Sequence, residues 1–114
     1  MTQEALPKGA FAKVTEAQWQ AQVVAAIRKM YGDKAFVFHP WSSIHSESGY
    51  PDLTVLLPKN AGGYRLVVIE LKSEKGKITE AQYDWLMGFE AAGIENILAR
   101  PSDAQALWAL LEPQ

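Results

Sequence analysis

The chain has 114 residues, of which 48% are hydrophobic and 21% charged, and it contains no cysteine. This length and composition suit one folded domain and exclude a disordered chain, a disulfide framework and a thiolate metal site, so any metal must bind to oxygen or histidine. No stretch has the roughly 20 apolar residues of a membrane helix, and the first 13 residues hold no signal-peptide run. We therefore expect a soluble, cytoplasmic protein. The net charge of −2 argues against bulk coating of nucleic acid but leaves room for a local basic patch.

The first clear pattern is a helix over residues 16–31. Thr15 followed by Gln18 forms a capping box, and apolar residues then recur at helical spacing. Residues 1–14 contain a proline and a glycine and show no period, which predicts an extended lead-in. A single domain should then span residues 15–114.

Three strands are predicted next. Residues 35–39 (AFVFH) and 52–57 (DLTVLL) are rich in aromatic and β-branched side chains. A turn with Gly62 and Gly63 leads into residues 65–72 (RLVVIELK), which are apolar on both faces and predict a central strand.

The remainder alternates helix, strand and helix. Thr79 and Gln82 repeat the capping box and open a helix that ends before Gly93, a strand follows at 94–99, and the final helix lies between Pro101 and Pro113. The order is α-β-β-β-α-β-α, in which the first three strands can form a meander and the fourth returns through a helical crossover. This predicts an α/β fold with a mixed central sheet and helices on both faces.

Two charged residues end the apolar central strand. Strand alternation places Glu70 and Lys72 on one face, where a buried charge needs a partner or a cation. An ion pair at the strand end is one explanation. Asp52 offers another, because the hairpin partner can bring it beside Glu70, and two carboxylates suit a hard divalent cation. Asp52 also fits a simple turn cap after Gly49.

These residues resemble a known nuclease motif. Residues 48–52 (SGYPD) and 70–72 (ELK) resemble the PD-(D/E)xK signature. Residues 72–85 (KSEKGKITEAQYDW) and 100–103 (RPSD) further resemble the VRR-NUC branch, which is often found in phage and prophage proteins. The resemblance covers roughly residues 15–111 and implies a restriction-endonuclease-like core.

The resemblance also implies roles for the site residues. Asp52, Glu70 and the backbone carbonyl of Leu71 would hold Mg²⁺ or Mn²⁺, with no organic cofactor. Lys72 would orient or help deprotonate the attacking water and offset charge in the transition state. Gln82 matches the family's glutamine, although it also completes a capping box.

The resemblance reaches two further positions. Glu16 matches the family's glutamate on the first helix, although an acid there also complements the helix dipole. His39 precedes the Asp52 turn, with Trp41 and His45, in a segment near the family's substrate side. A lone histidine is more often structural.

The expected substrate is DNA. Lys75 and Lys77 join Lys72 in a candidate phosphate-binding patch, although a solvated loop has the same composition. The resemblance implies a structure-selective nuclease acting on branched, flapped or junction DNA in phage replication, recombination or repair. It also implies a homodimer. A non-catalytic nucleic-acid-binding or interaction module with the same fold is the alternative function.

Overall fold

The computed structural model describes residues 8–40 and 49–114. Within these ranges the predicted α-β-β-β-α-β-α order is confirmed, with one additional helix at the start and two short 3₁₀ helices. The helices are α1 (Lys8–Ala12), α2 (Glu16–Tyr31), α3 (Glu80–Ala91) and α4 (Ala104–Leu111), the strands are β1 (Phe36–Phe38), β2 (Leu53–Pro58), β3 (Tyr64–Leu71) and β4 (Glu95–Ala99), and the 3₁₀ helices are Gly32–Lys34 and Pro101–Asp103.

The lead-in differs from the prediction. Residues 8–12 form the helix α1 rather than extended chain, and the backbone N–H of Val14 then donates to the carbonyl of Phe11. The sequence KGAFA has two alanines, the strongest helix former, and a proline directly before a helix does not oppose its first turn. Residues 1–7 lie outside the described part of the chain.

The sheet has the predicted mixed topology. Its strand order is β1-β2-β3-β4, with antiparallel pairing of β1 to β2 and of β2 to β3 and parallel pairing of β3 to β4. Helix α3 supplies the crossover that a parallel neighbour requires. Strand β3 is therefore central.

One face of the sheet carries the main core. Helices α2 and α4 pack against it, and α2 begins with the expected capping box, in which the side chains of Thr15 and Gln18 each accept from the other's backbone N–H. The fully buried members of this core include Trp19, Val23, Ile27, Leu53, Val55, Leu57, Val67, Ile69, Leu71, Leu107 and Leu111.

The opposite face is only partly covered. Glu70 lies on this face by strand alternation, and α3 reaches it there through a hydrogen bond from Gln82. The rest of the face exposes large apolar side chains to solvent, namely Phe36, Phe38, Leu56 and Tyr64.

In the described part of the chain no helix is long and apolar enough to cross a bilayer.

Candidate active site

Asp52 lies immediately before β2 and is tied to the central strand. Its Oδ2 accepts a hydrogen bond of 2.7 Å from the backbone N–H of Leu71. In an antiparallel ladder, two hydrogen-bonded partner residues each donate an N–H to the other's C=O. The N–H and the C=O of one residue therefore point toward the same neighbouring strand. The carbonyl of Leu71 is therefore directed to the Asp52 side of β3, beyond the end of β2.

Glu70 is the least solvated charged group of the described residues, with 1% of its surface exposed. Its Oε1 accepts from Gln82 Nε2 at 3.2 Å, while Oε2 has no hydrogen-bond donor among the described residues. Burial, and then the proximity of the Asp52 carboxylate, raise the pKa of Glu70 to about 8. The nearby Lys72 lowers this pKa and Glu16 raises it, without reversing the shift.

Lys72 does not form the simple ion pair with Glu70. Its side chain is also buried, and among the described residues the carboxylate within 4.0 Å of Nζ is that of Glu16, at 3.9 Å. The backbone of Lys72 is held separately, because its N–H donates to the carbonyl of Ala99, which also accepts from the indole of Trp19 at 2.9 Å. The backbone of Lys72 is therefore fixed through the sheet and α2, and its ammonium lies near Glu16.

Glu16 and Gln82 each lie in the first turn of a helix and also contact a residue of the candidate site. Glu16 is an exposed first-turn acid of α2, as a helix-dipole role requires, and it also approaches Lys72. Gln82 Oε1 accepts from the N–H of Thr79 in the capping box, while its Nε2 donates to Glu70. One glutamine thus begins α3 and fixes the orientation of the buried carboxylate.

The turn before Asp52 contains a contact that sequence reasoning missed. Gly49 has φ +82°, and a Cβ placed on it would lie 2.5 Å from the backbone carbonyl carbon of Ala81. Only glycine allows both this conformation and this approach to α3. Tyr50 then contacts Trp85 on α3 with ring centroids 5.0 Å apart, and its hydroxyl is 2.8 Å from Thr54 Oγ1. Residues 49–52 thereby link the start of β2 to α3.

The predicted DNA-contacting residues lie farther out. Lys75 and Lys77 are exposed on the loop that follows Lys72, and His39 is exposed directly after β1. The antiparallel register of β1 and β2 puts His39 at the Asp52 end of the sheet. Trp41 and His45 lie outside the described residues.

Comparison with known proteins identifies the family and the fold. The sequence model of the VRR-NUC domain matches residues 11–103. The chain belongs to the VRR-NUC family. A solved structure described as a VRR_NUC domain protein superposes with a TM-score of 0.61 at 19% identity, covering 87% of this chain and 91% of that chain. That likeness shows the restriction-endonuclease-like fold, and a search of curated proteins gives no match.

Membership in the VRR-NUC family makes this a nuclease-type domain, with DNA as the implied substrate. Among its described residues no group of three or more histidine, aspartate and glutamate side chains is arranged to hold a metal ion. The donor set that does come together is two carboxylates, Asp52 and Glu70, and the carbonyl of Leu71. Oxygen donors of this kind fit Mg²⁺ or Mn²⁺, and the buried Glu70 Oε2 without a donor is an atom that a cation would satisfy.

Proposed function

We propose that this VRR-NUC domain is a Mg²⁺- or Mn²⁺-dependent deoxyribonuclease whose centre is Asp52, Glu70 and Lys72. The observation that carries the proposal is the buried Glu70 carboxylate beside Asp52, with one oxygen unpaired and no cation from the described residues within 4.0 Å. A purely structural carboxylate would be expected to have a neutralising partner at this depth. Two adjacent carboxyl groups are instead a donor pair that suits a divalent cation.

The side chains divide the work around that cation. Asp52, Glu70 and the Leu71 carbonyl would hold the metal, which when bound supplies Lewis acidity and an activated water. Gln82 orients Glu70, and the Leu71 N–H orients Asp52. Lys72, held in place near Glu16, offsets negative charge that develops on the phosphate.

The substrate surface that we propose is the loop after Lys72. Lys75 and Lys77 are exposed there and would contact phosphates, with His39 at the same end of the sheet. Three lysines give a small electrostatic footprint, so we expect weak affinity for plain duplex that falls as salt rises. We propose, from the family resemblance, a preference for branched, flapped or junction DNA in a phage replication, recombination or repair setting.

We further propose that the domain works as a homodimer. The exposed face that carries Phe36, Phe38, Leu56 and Tyr64 supports this, since apolar side chains grouped on a surface mark interaction sites. Phe38→Glu should shift the mass measured by light scattering from dimer to monomer. A monomeric parent protein would contradict the dimer.

The test of the activity is a cleavage panel. Labelled single strands, duplexes, flaps and four-way junctions are incubated with Mg²⁺, Mn²⁺ or chelator. Cleavage that needs metal and favours one branched substrate supports the proposal. Binding without cleavage of any substrate would instead identify a non-catalytic nucleic-acid-binding module and overturn it.

A further inference from the structure

One arginine, Arg100, holds the loop that follows Lys72. Arg100, directly after β4, uses a single guanidinium nitrogen, Nη1, to donate to three backbone carbonyls: those of Gly76 at 2.5 Å, Ser73 at 2.7 Å and Glu74 at 3.3 Å. The loop closes on itself, because the N–H of Gly76 donates to the carbonyl of Ser73. The turn thus wraps its carbonyl oxygens around one cationic group.

A second anchor holds the same loop. The carboxylate of Glu74 accepts from the backbone N–H of Ser102 at 3.2 Å, in the 3₁₀ helix that follows Arg100. Arg100 is itself fixed, since its N–H donates to Asp103 at 2.8 Å. At Gly76 a Cβ would come within 2.9 Å of the Ser73 hydroxyl, so the turn is too tight for a larger residue without adjustment.

We propose that Arg100 is a positioning residue for DNA binding, which holds the turn at residues 73–76 so that Lys75 and Lys77 face the phosphates of the substrate. The inference rests on the proposed nuclease function. Arg100 need not touch DNA for this role. Arg100 already orders the loop in the free protein, so less conformational entropy is lost when DNA binds.

The structure predicts that this effect falls on substrate binding rather than on the chemical step. The backbone of Lys72 is fixed by its own bond to Ala99 and does not depend on Arg100. Loss of Arg100 should therefore free Lys75 and Lys77 while leaving Lys72 near Glu70. The expected signature is a raised KM with a retained kcat.

The central test compares Arg100→Met with Arg28→Met. Arg28 is a matched control, because its Nη1 also donates to backbone carbonyls, those of Gly32 and Ala35, toward the far end of α2. Twelve residues of helix place it about 18 Å from Glu16. Arg100→Met should raise KM about tenfold, or about 1.4 kcal/mol, and lessen the salt dependence of KM, with kcat within about twofold. Arg28→Met should leave both constants unchanged.

A second variant covers the case in which Arg100→Met does not fold. Glu74→Ala removes the other anchor and also removes a negative charge near the DNA surface. Simple electrostatics predicts a lower KM for this variant, whereas a positioning role predicts a higher one. An unchanged or lower KM would overturn the proposal.

A double-mutant cycle identifies the route of the effect. If Arg100 acts through the two lysines, Lys75→Gln with Lys77→Gln should raise KM in the parent but change it little when Arg100→Met is present. Additive effects would mean that Arg100 acts independently, and would refute the inference. If the parent protein cleaves no DNA, it is the proposed function that fails. A parent that cleaves while Arg100→Met keeps its KM leaves that function standing and rejects only the role of Arg100.

Discussion

Strand β3 carries a buried charged side chain near each end, and the two have opposite surroundings. Near its start, Arg65 donates to both carboxylate oxygens of Glu95, at 3.1 and 2.7 Å, and to the carbonyl of Leu110. The hydrogen bond to Arg65 lowers the pKa of Glu95, and the same bond raises the pKa of Arg65. Near the other end, burial and the neighbouring Asp52 raise the pKa of Glu70 to about 8.

The contrast separates a neutralised structural charge, Arg65, from the carboxyl group that we propose to be functional, Glu70. Both groups have a buried polar atom without a partner among the described residues, Arg65 Nη1 and Glu70 Oε2, so incomplete hydrogen bonding alone does not distinguish them. The charge of the neighbouring side chain does distinguish them. Arg65 is neutralised by an acid, whereas a second acid adds to the charge of Glu70. The ionised form of Glu70 is therefore destabilised unless it binds a cation or a proton.

The largest expected effect is on catalysis. Asp52→Ala should lower kcat in Mg²⁺ by about a hundredfold to a thousandfold or more, the scale seen when one charge-stabilising group of an active site is removed. Glu95→Gln, which removes the β4 partner of Arg65 near the start of β3, is the control and should retain activity below its melting temperature. Cleavage rates are measured on the preferred substrate. Full activity of Asp52→Ala would remove Asp52 from the active site.

The next effect is on the pH dependence of stability. A folded pKa of about 8, against the ordinary glutamate value of 4.5, means that folded Glu70 binds a proton that the unfolded chain has released. The free energy of unfolding of the metal-free protein should therefore fall as pH rises from about 4.5 to about 8, by an amount on the order of several kcal/mol. Glu70→Gln should flatten this fall. Chemical denaturation across the range would disagree if the two proteins had parallel pH profiles.

A smaller effect distinguishes the two ends at fixed pH. Glu95→Gln leaves Arg65 without its carboxylate and should lower the free energy of unfolding by about 1–2 kcal/mol, a modest cost because the Glu95 side chain is 43% exposed. Glu70→Gln removes a repulsion and should be neutral or stabilising in chelator. Denaturant titrations at pH 8 measure both variants, and a Glu70→Gln protein that lost more stability than Glu95→Gln would reverse the comparison.

The sequence predicts the contacts that depend on strand alternation and helix capping, because both patterns involve residues that are close in the sequence. The central strand, the hairpin and the two capping boxes follow from residues that are close in the sequence, and the hairpin allows Asp52 to lie beside Glu70. Arg100 and its loop were missed, because that contact joins residues 24 to 27 positions apart. The sequence around Gly49 predicts only a turn, since no local pattern shows that α3 passes within van der Waals distance of it. The sequence does not predict the helix at 8–12, because Pro7 and Gly9 are typical of irregular chain whereas Ala10 and Ala12 favour a helix.

The central claim is that Asp52 and Glu70 are a cation site, and melting temperature against metal concentration tests it most directly. Parent, Glu70→Gln and Glu95→Gln proteins are heated in chelator and in increasing Mn²⁺. Binding to the folded state alone should stabilise the parent by about 2.7 kcal/mol at a hundred times the dissociation constant. Glu95→Gln should have a lower melting temperature in chelator and the same increase on adding Mn²⁺ as the parent. Glu70→Gln should show little increase. A parent protein indifferent to metal, with Glu70→Gln strongly destabilised in chelator, would show that Glu70 supports the fold and would contradict the cation site.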